Sequence, residues 1–294
     1  MNGRSRRFAL LMNPAAAGGK PLRLLPDVED ELARAGAAYR VLETRDMDHA
    51  QEAARQAISE DEVVVALGGD GLVSALADVV REGGLLGILP GGRGNDLARS
   101  LGISQEIRPA SRLLVDGAER TLDLGEANGR MFVSIASTGF DSVANRIAND
   151  ARLIRGNLVY AYAALRALAG WRRASFQVVL DGHTHRLDGY TIAVANSAYY
   201  GGGMRVAPAA DPADGQFDVI LIGHTSRLRF AANLPKVFSG RHVAIDTVGT
   251  HRARDVTISA DRPFEVYADG EPLTNLPATL RVIPAALRVI VPRS

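Results

Sequence analysis

Cysteine is absent from this chain of 294 residues. Disulfide bonds, thiolate metal sites and a cysteine nucleophile are therefore excluded. Lysine is almost as rare, since only Lys20 and Lys236 stand among the 34 lysine and arginine residues. No apolar run approaches the roughly 18 residues of a membrane-spanning helix. The run Phe8–Met12 after the basic start is also shorter than the roughly 7–15 residues of a secretory signal. We expect a cytoplasmic protein, and peripheral contact with the inner face of a membrane stays open.

The chain also lacks a large net charge of either sign. The 34 basic and 33 acidic side chains leave a net charge of +1, so no nucleic-acid partner is expected. The charges are unevenly spread along the chain. Residues 1–124 contain 15 basic and 19 acidic side chains, whereas residues 125–294 contain 19 and 14. The second part is therefore the better suited to an anionic surface.

The first part of the chain alternates short apolar runs with helical patterns. Runs that are apolar throughout are typical of strands in a parallel sheet that is covered on both faces. The predicted strands are Phe8–Met12, Tyr39–Leu42, Val63–Leu67 and Leu85–Leu89, and the predicted helices begin at Pro26, Asp46, Leu72 and Asp96.

After about Leu124 the pattern changes to strands separated by hairpin signals, which predicts a mostly antiparallel region. One helix, predicted over Asn157–Trp171, interrupts this region. We therefore predict an α/β domain over residues 1–124 and a β-rich domain over residues 125–284. The predicted strands of the second domain are Phe176–Leu180, Tyr190–Asn196, Phe217–Ile222, His242–Val248, Asp255–Ser259 and Phe264–Ala268.

Three loops of small residues follow predicted strands of the first domain: Asn13–Lys20, Gly68–Gly71 and Gly91–Asp96. Open α/β sheets bind ligands at the carboxyl ends of their strands. Glycines there let backbone amides approach phosphate oxygens, and the start of a helix favours negative charge. In any one loop the glycines could simply permit a tight turn, but three such loops together favour phosphate binding. Neither the Walker pattern nor G-x-G-x-x-G is present.

Carboxylates accompany these loops and recur in the second domain. Asp70, within a phosphate loop, would hold Mg²⁺ or take a proton, or it could be a turn residue. Asp96 could cap its helix. Asp211 and Asp214 lie in an oxygen-rich loop that suits Mg²⁺, and Asp269–Glu271 places two acids around a glycine. For these last two segments, a plain turn is the stronger interpretation on the residues alone.

Taken in order, the motifs resemble the diacylglycerol kinase catalytic domain family, in its soluble bacterial lipid-kinase branch, which is related to the sphingosine kinases. The resemblance covers nearly the whole chain. The ordered segments are Asn13-Pro14 with trailing glycines, Gly68–Gly71, Leu89-Pro90 leading to Gly94–Ala98, Ser137–Asp141, Asn196 with Gly201–Met204, Asp211–Gln216 and Asp269–Glu271.

The resemblance implies an ATP-binding domain like those of NAD kinases and phosphofructokinases, followed by a β-sandwich-like domain that takes the lipid. The active cleft would lie between the two domains, and a strand within residues 285–294 would return to the first domain. ATP and Mg²⁺ would be the cofactors. The reaction would phosphorylate a hydroxyl of diacylglycerol or a related lipid, in phospholipid metabolism. A homodimer stays open.

The resemblance also assigns site residues. Glu271, with Asp269 beside it, would be the proton acceptor, and Asp70 is an alternative for that role. The nucleotide would contact Asn13, Pro14, Thr44, Gly68, Gly69, Asp70, Gly71, Leu72, Ser74, Gly92, Arg93, Gly94, Asn95 and Asp96.

Mg²⁺ would be bound by Asp211, Asp214 and the backbone carbonyl of Gln216. Asp141, just after a glycine of the second domain, is a candidate for holding the polar head of the lipid. Arg93 departs from the family pattern, in which a threonine is usual, and its guanidinium could pair with a phosphate. The lipid and the nucleotide preference are left open by such departures.

Two other functions compete with the lipid kinase. An NAD kinase-like small-molecule kinase shares Gly-Gly-Asp-Gly, and a weakly active regulator that binds nucleotide or lipid belongs to a different class. A membrane-contacting helix is a further hypothesis, because Leu153–Trp171 combines apolar residues with arginines as interfacial helices do. An ordinary core helix with a solvated face explains the same pattern.

Overall fold

The computed structural model describes residues 6–150 and 158–293, which form two compact units. Unit 1 contains the chain up to Asp123, the short segment Gly201–Gly203 and the chain from Pro284 onward. Unit 2 contains Leu124–Tyr200 and Met204–Ile283. Each unit therefore takes residues from distant parts of the sequence.

Unit 1 is built on a parallel sheet with helices between its strands. The elements are β1 (Arg7–Met12), α1 (Lys20–Arg34), β2 (Ala38–Glu43), α2 (Met47–Ser59), β3 (Val63–Gly68), α3 (Asp70–Val80), β4 (Leu86–Pro90), α4 (Asp96–Ser100) and α5 (Ile107–Asp116). The strand order is β2-β1-β3-β4, and Val289 pairs in parallel with Leu86 beyond β4. Every residue of β3 is buried, as expected for a strand covered on both faces.

Unit 2 is mostly antiparallel. The elements that follow α5 are β5 (Ala118–Ala127), β6 (Arg130–Phe132), β7 (Ile135–Gly139), α6 (Phe140–Asp150), α7 (Leu158–Gly170), β8 (Ala174–Leu180), β9 (His183–Ala195), β10 (Phe217–Gly223), α8 (Arg227–Asn233), β11 (Val248–Ala253), β12 (Asp255–Ala260), β13 (Glu265–Ala268), β14 (Glu271–Asn275) and β15 (Ala278–Val291). The strands of unit 2 pair in the order β14-β13-β7-β9-β8-β12-β15, and β10 pairs with both β9 and β11. Two strands, β5 and β15, contribute residues to both units.

Three predicted elements differ from the structure. The strand predicted to begin at Tyr190 begins at His183, as β9. The first helix begins at Lys20 and not at Pro26, because Gly19 in the left-handed conformation and Pro21 in the first turn already start it. The strand predicted over His242–Val248 is wrong. Its first half belongs to a 3-10 helix, where the His242 ring makes a 2.9 Å hydrogen bond to the Val206 carbonyl, and β11 begins only at Val248.

The helix predicted to contact a membrane contributes to the core of unit 2. Trp171, just after α7, is buried and stacks on Tyr190 with 5.7 Å between ring centroids. Phe230 stacks on Tyr190 at 4.0 Å, and Phe140 meets Phe230 edge to face at 4.9 Å. Leu165, in contrast, is exposed. The first part of the predicted stretch, residues 153–157, lies outside the described residues.

None of the helices among the described residues combines the length and the apolar character needed to cross a bilayer.

A buried carboxylate joins α1 to α5 in unit 1. Glu31 of α1 accepts hydrogen bonds from Arg112 Nε at 2.6 Å and Arg108 Nη1 at 2.9 Å, and from Arg34 at 2.5 Å within its own helix. The hydrogen bond from Arg112 is the main reason why the pKa of Glu31 falls to about 2, and it outweighs the opposing effect of burial. Three guanidinium groups thus converge on one buried carboxylate.

The Glu31 cluster predicts an acid-dependent loss of stability. A carboxyl group whose folded-state pKa is lowered stabilises the fold above its ordinary pKa of 4.5, and this contribution is lost as the pH falls toward 2. We expect Glu31→Gln to lower the melting temperature at pH 7 and to flatten its decline between pH 4.5 and 2. Calorimetric melting across this pH range tests the prediction, with Glu52→Gln on the exposed face of α2 as the control. An equal drop for E31Q at pH 7 and pH 3 would contradict it.

Candidate active site

The first loop of the site, Asn13–Gly19, follows β1 and is closed by its own polar groups. Asn13 Oδ1 accepts the Ala15 amide at 2.9 Å, and Asn13 Nδ2 donates to the Arg45 carbonyl at 3.3 Å. Lys20 follows this loop, and its ammonium donates to the Gly92 carbonyl at 2.8 Å. Hydrogen bonds therefore link this loop to Arg45, the residue after Thr44, and to the loop that follows β4.

The second and third loops, Gly68–Gly71 and Gly91–Asn95, touch through their backbones. A Cβ atom at Gly92 would lie 2.3 Å from Gly69 Cα, and one at Gly91 would lie 3.0 Å from Gly68 N. Neither position has room for a side chain. These glycines are thus required by the packing of one loop on the other, whereas a Cβ at Gly71 would meet only a methionine methyl at 3.9 Å.

Asp70 crosses from the second loop to the start of α4. Its Oδ1 accepts the Asp96 amide at 2.6 Å and lies 3.5 Å from the Leu97 amide. Burial raises the pKa of Asp70, although these backbone hydrogen bonds act in the opposite direction. The acid expected to meet phosphate or Mg²⁺ therefore caps a neighbouring helix.

Asp96 does not cap its own helix. Its two carboxylate oxygens accept the amides of Gly202 and Gly203, each at 2.8 Å. Burial, and next the negative charge of Asp70, raise the pKa of Asp96 to about 6. Asp96 thus holds the segment Gly201–Gly203 within unit 1, a role that the sequence analysis did not assign.

The remaining predicted nucleotide residues differ in exposure. Asn95 is buried and left-handed, and its Oδ1 accepts the Gly92 amide at 2.9 Å, so its side chain closes the third loop. Arg93 is exposed, whereas Thr44 is buried.

Leu72 is also buried, and its side chain covers Gly68. The predicted contact residues Pro14, Ser74 and Gly94 lie in or beside these loops.

In unit 2, the two acids of the Asp269–Glu271 turn lie in different environments. Asp269, with φ of +52°, accepts the amides of Val133 and Ser134 at 2.8 and 2.9 Å. Glu271 is exposed at the first position of β14, and within residues 6–150 and 158–293 its side chain has no hydrogen bond or ion pair. One acid therefore organises the turn, and the other remains available to solvent.

The predicted magnesium residues lie in a loop before β10. Asp211 and Asp214 each accept a backbone amide two residues ahead, from Ala213 and Gln216, at 3.1 Å. Asp214 also forms an ion pair with Arg252. The carboxylate and carbonyl oxygens fit the ligand preference of Mg²⁺, but a cation at Asp214 would have to displace this guanidinium. In the described part of the chain, no three His, Asp or Glu side chains converge as a metal site.

Asp141, the candidate for the lipid head group, belongs to a polar network in unit 2. Its Oδ2 accepts hydrogen bonds from Ser137 and from Asn145, and Asn145 also donates to the Tyr200 hydroxyl at 2.9 Å. Burial raises the pKa of Asp141 and, more strongly, that of Tyr200. Sequence reasoning identified only Asp141, because its partners are distributed over β7, α6 and the segment after β9.

The comparisons with known proteins agree on one family. The family model of the diacylglycerol kinase catalytic domain matches residues 7–127, and that of the YegS C-terminal NAD kinase beta sandwich-like domain matches residues 134–291. A diacylglycerol kinase of Mycobacterium tuberculosis is 38% identical over 240 residues, which cover 79% of this chain and 77% of that protein.

The chain belongs to the diacylglycerol kinase family.

Alignments with more distant relatives cover almost the whole length of this kinase. A diacylglycerol kinase of Bacillus subtilis strain 168 is 25% identical and covers 98% of this chain and 97% of that protein. The crystal structure of a diacylglycerol kinase from Bacillus anthracis shares the fold, with a TM-score of 0.77 at 20% identity over 99% of this chain and 98% of that one. The predictions of the family, of the fold class and of a lipid kinase are thereby confirmed.

The contact between the second and third loops of this lipid kinase can be tested by adding one methyl group. We expect Gly92→Ala to destabilise the fold by about 1–3 kcal/mol, because the new Cβ overlaps Gly69 Cα. Thermal or urea unfolding measures the loss. Gly170→Ala is the matched control, since a Cβ there meets no atom within 4 Å. Equal stability of the two variants would contradict the role of the contact.

The proximity of Asp70 and Asp96 predicts that their titrations are coupled. We expect Asp70→Asn to lower the pKa of Asp96 below about 6, because it removes a nearby negative charge. Arg99→Gln should raise the same pKa, since Arg99 is the cation that lowers it. Carboxyl carbon chemical shifts followed from pH 3 to 8 report both changes. Unchanged Asp96 titration in both variants would show that the charges of Asp70 and Arg99 do not set its pKa.

Proposed function

We propose that this family member transfers the γ-phosphoryl group of ATP to a hydroxyl of diacylglycerol or a closely related lipid, with Mg²⁺. The observation that carries the proposal is the convergence of three loops at the carboxyl ends of β1, β3 and β4. The backbones of the second and third loops approach so closely that glycine is required, and Lys20 links the first loop to the Gly92 carbonyl. Such loops are suited to phosphate oxygens. The relatives named diacylglycerol kinase support the lipid acceptor.

Phosphoryl transfer depends mainly on position and on neutralisation of charge. In this proposal the start of α3 receives the phosphates, because its first amides lack partners within the helix and Gly71 leaves space beside them. Arg93 is the exposed cation of the third loop and pairs with a phosphate. Asp70 maintains the loops through the Asp96 amide and is not the proton acceptor.

Glu271 is the proposed proton acceptor. The attacking hydroxyl must lose its proton as the new oxygen–phosphorus bond forms, and a positioned carboxylate can accept it. Asp269 is unsuited to this role because both of its oxygens already accept backbone amides. The exposed Glu271, two residues later, is held at the start of β14 by the turn that Asp269 organises.

Mg²⁺ would be held by Asp211, Asp214 and the Gln216 carbonyl, and it would supply positive charge to neutralise the phosphates. With Mg²⁺ bound, Asp214 would pair with the cation in place of Arg252, which is its partner in this structure. A positive charge would thus lie beside Asp214 in either case.

A kinetic comparison tests the proposed base. We expect Glu271→Gln to lower kcat by about 10²–10⁴-fold, the usual contribution of a general base, with little change in melting temperature or in KM for ATP. Radiolabel transfer from ATP to diacylglycerol in mixed micelles, with Mg²⁺ or with a chelator, measures the rate. Glu106→Gln, an exposed acid before α5, is the control. An E271Q enzyme with full kcat would rule out this base.

The acceptor is tested in the same assay by offering diacylglycerol, monoacylglycerol, sphingosine, ceramide, phosphatidylglycerol and NAD in parallel. Diacylglycerol or a related lipid should take the label. Transfer to NAD alone would favour the small-molecule kinase. ATP binding without transfer to any acceptor would favour the regulator.

A further inference from the structure

The segment from α8 to the 3-10 helix Arg241–Ala244 exposes two large apolar side chains. Leu228 is 85% exposed and Phe238 is 60% exposed. Both values are high for side chains that normally lie in a core. No element of the mechanism proposed above uses this segment, and it lies well after the stretch Leu153–Trp171 that the sequence suggested for membrane contact.

The exposure of these two side chains is imposed by the fold. On α8, Phe230 is buried against Tyr190, and Leu228 is two residues away, which is about 200° around the helix. Leu228 must therefore point away from the core for as long as Phe230 is buried.

Phe238 follows a backbone that is anchored on both sides. The Val237 carbonyl accepts the Arg205 amide at 3.0 Å, and His242 binds the Val206 carbonyl at 2.9 Å. Between these anchors, Gly240 packs so closely on Pro208 that a Cβ would lie 2.7 Å from its side chain. The Phe238 ring thus projects from a backbone that is held in place on both sides.

The segment contains basic side chains and no acidic ones. Residues 219–245 contain four cations, Arg227, Arg229, Lys236 and Arg241, and no Asp or Glu. Arg227 donates to the Trp171 carbonyl at 2.6 Å, and Arg229 pairs with Asp246 at 2.7 Å. Lys236 and Arg241 are exposed, and among the described residues neither has an acidic partner.

We propose that this surface, Arg227–Ala244, docks on an anionic phospholipid bilayer, with Leu228 and Phe238 entering the interface and Lys236 and Arg241 meeting the head groups. Exposed apolar side chains beside uncompensated cations are what interfacial elements present to anionic lipids. The proposal extends the proposed function, because a bilayer-borne substrate requires the enzyme at its surface. The docking itself requires no turnover and can be measured without it.

Vesicle flotation of the full chain tests the docking. Wild type should bind vesicles of phosphatidylcholine with phosphatidylglycerol and bind pure phosphatidylcholine weakly. We expect Lys236→Gln with Arg241→Gln to lower the partition coefficient by about fivefold for each cation removed. Leu228→Ser with Phe238→Ser should lower it by about tenfold or more. Leu22→Ser and Arg293→Gln, exposed residues of unit 1, are the matched controls, and unchanged melting temperatures establish that the variants fold.

Three outcomes would overturn the proposal: wild type that fails to bind anionic vesicles, double variants that float like wild type, or an oligomer that dissociates when Leu228 and Phe238 are replaced. The last would make this surface a contact between two copies of the chain. Sedimentation velocity of wild type and variants identifies that case.

A second assay separates this proposal from the proposed function. With a short-chain diacylglycerol that is dispersed in solution, the L228S/F238S variant should keep the wild-type rate, and with the same head group in anionic vesicles it should lose rate. A wild-type enzyme that is inactive in both formats but still floats would defeat the proposed function and leave the docking surface intact.

Discussion

The close approach of Gly69 and Gly92 is the constraint on which the rest of unit 1 depends. Because no side chain separates the two loops, Asp70 reaches the start of α4 and accepts the Asp96 amide. Asp96 is then free to bind the amides of Gly202 and Gly203, which come from a segment more than 100 residues later. This backbone contact, together with the hydrogen bonds of Asp70 and Asp96, thus connects the third loop, the start of α4 and the segment Gly201–Gly203.

Much of the fold and the loops could be predicted because their signals are local. Apolar runs, glycine clusters and their order along the chain identify the strands, the glycine-rich loops and the family. The roles of individual residues depend on distant partners. Asp96 looks like a helix cap from its neighbours alone, and its true partners follow β9. His242 looks like part of a strand, and a carbonyl 36 residues earlier holds it in a 3-10 helix.

In the Asp269–Glu271 turn, too, the sequence does not reveal the role of each residue, although the two acids are close together in the chain. Two acids around a glycine are equivalent in the sequence, and only the backbone distinguishes them. Asp269 adopts a positive φ, which directs its carboxylate to the Val133 and Ser134 amides, whereas Glu271 begins a strand and faces solvent. The difference between the acid that organises the turn and the acid that faces solvent therefore follows from conformation and not from residue type.

Electrostatics sets the conditions under which the acidic first part of the chain would receive phosphate, as the proposed function requires. Asp70 and Asp96 are close enough for the charge of one to raise the pKa of the other, and both are partly satisfied by backbone amides. A phosphate placed on these loops adds further negative charge, which disfavours ionised Asp96 still more. Lys20 is already bonded to the Gly92 carbonyl. In the proposed function the compensating positive charge would therefore come from backbone amides, the exposed Arg93 and a bound cation. An acidic unit with few lysines would then rely on the geometry of its loops.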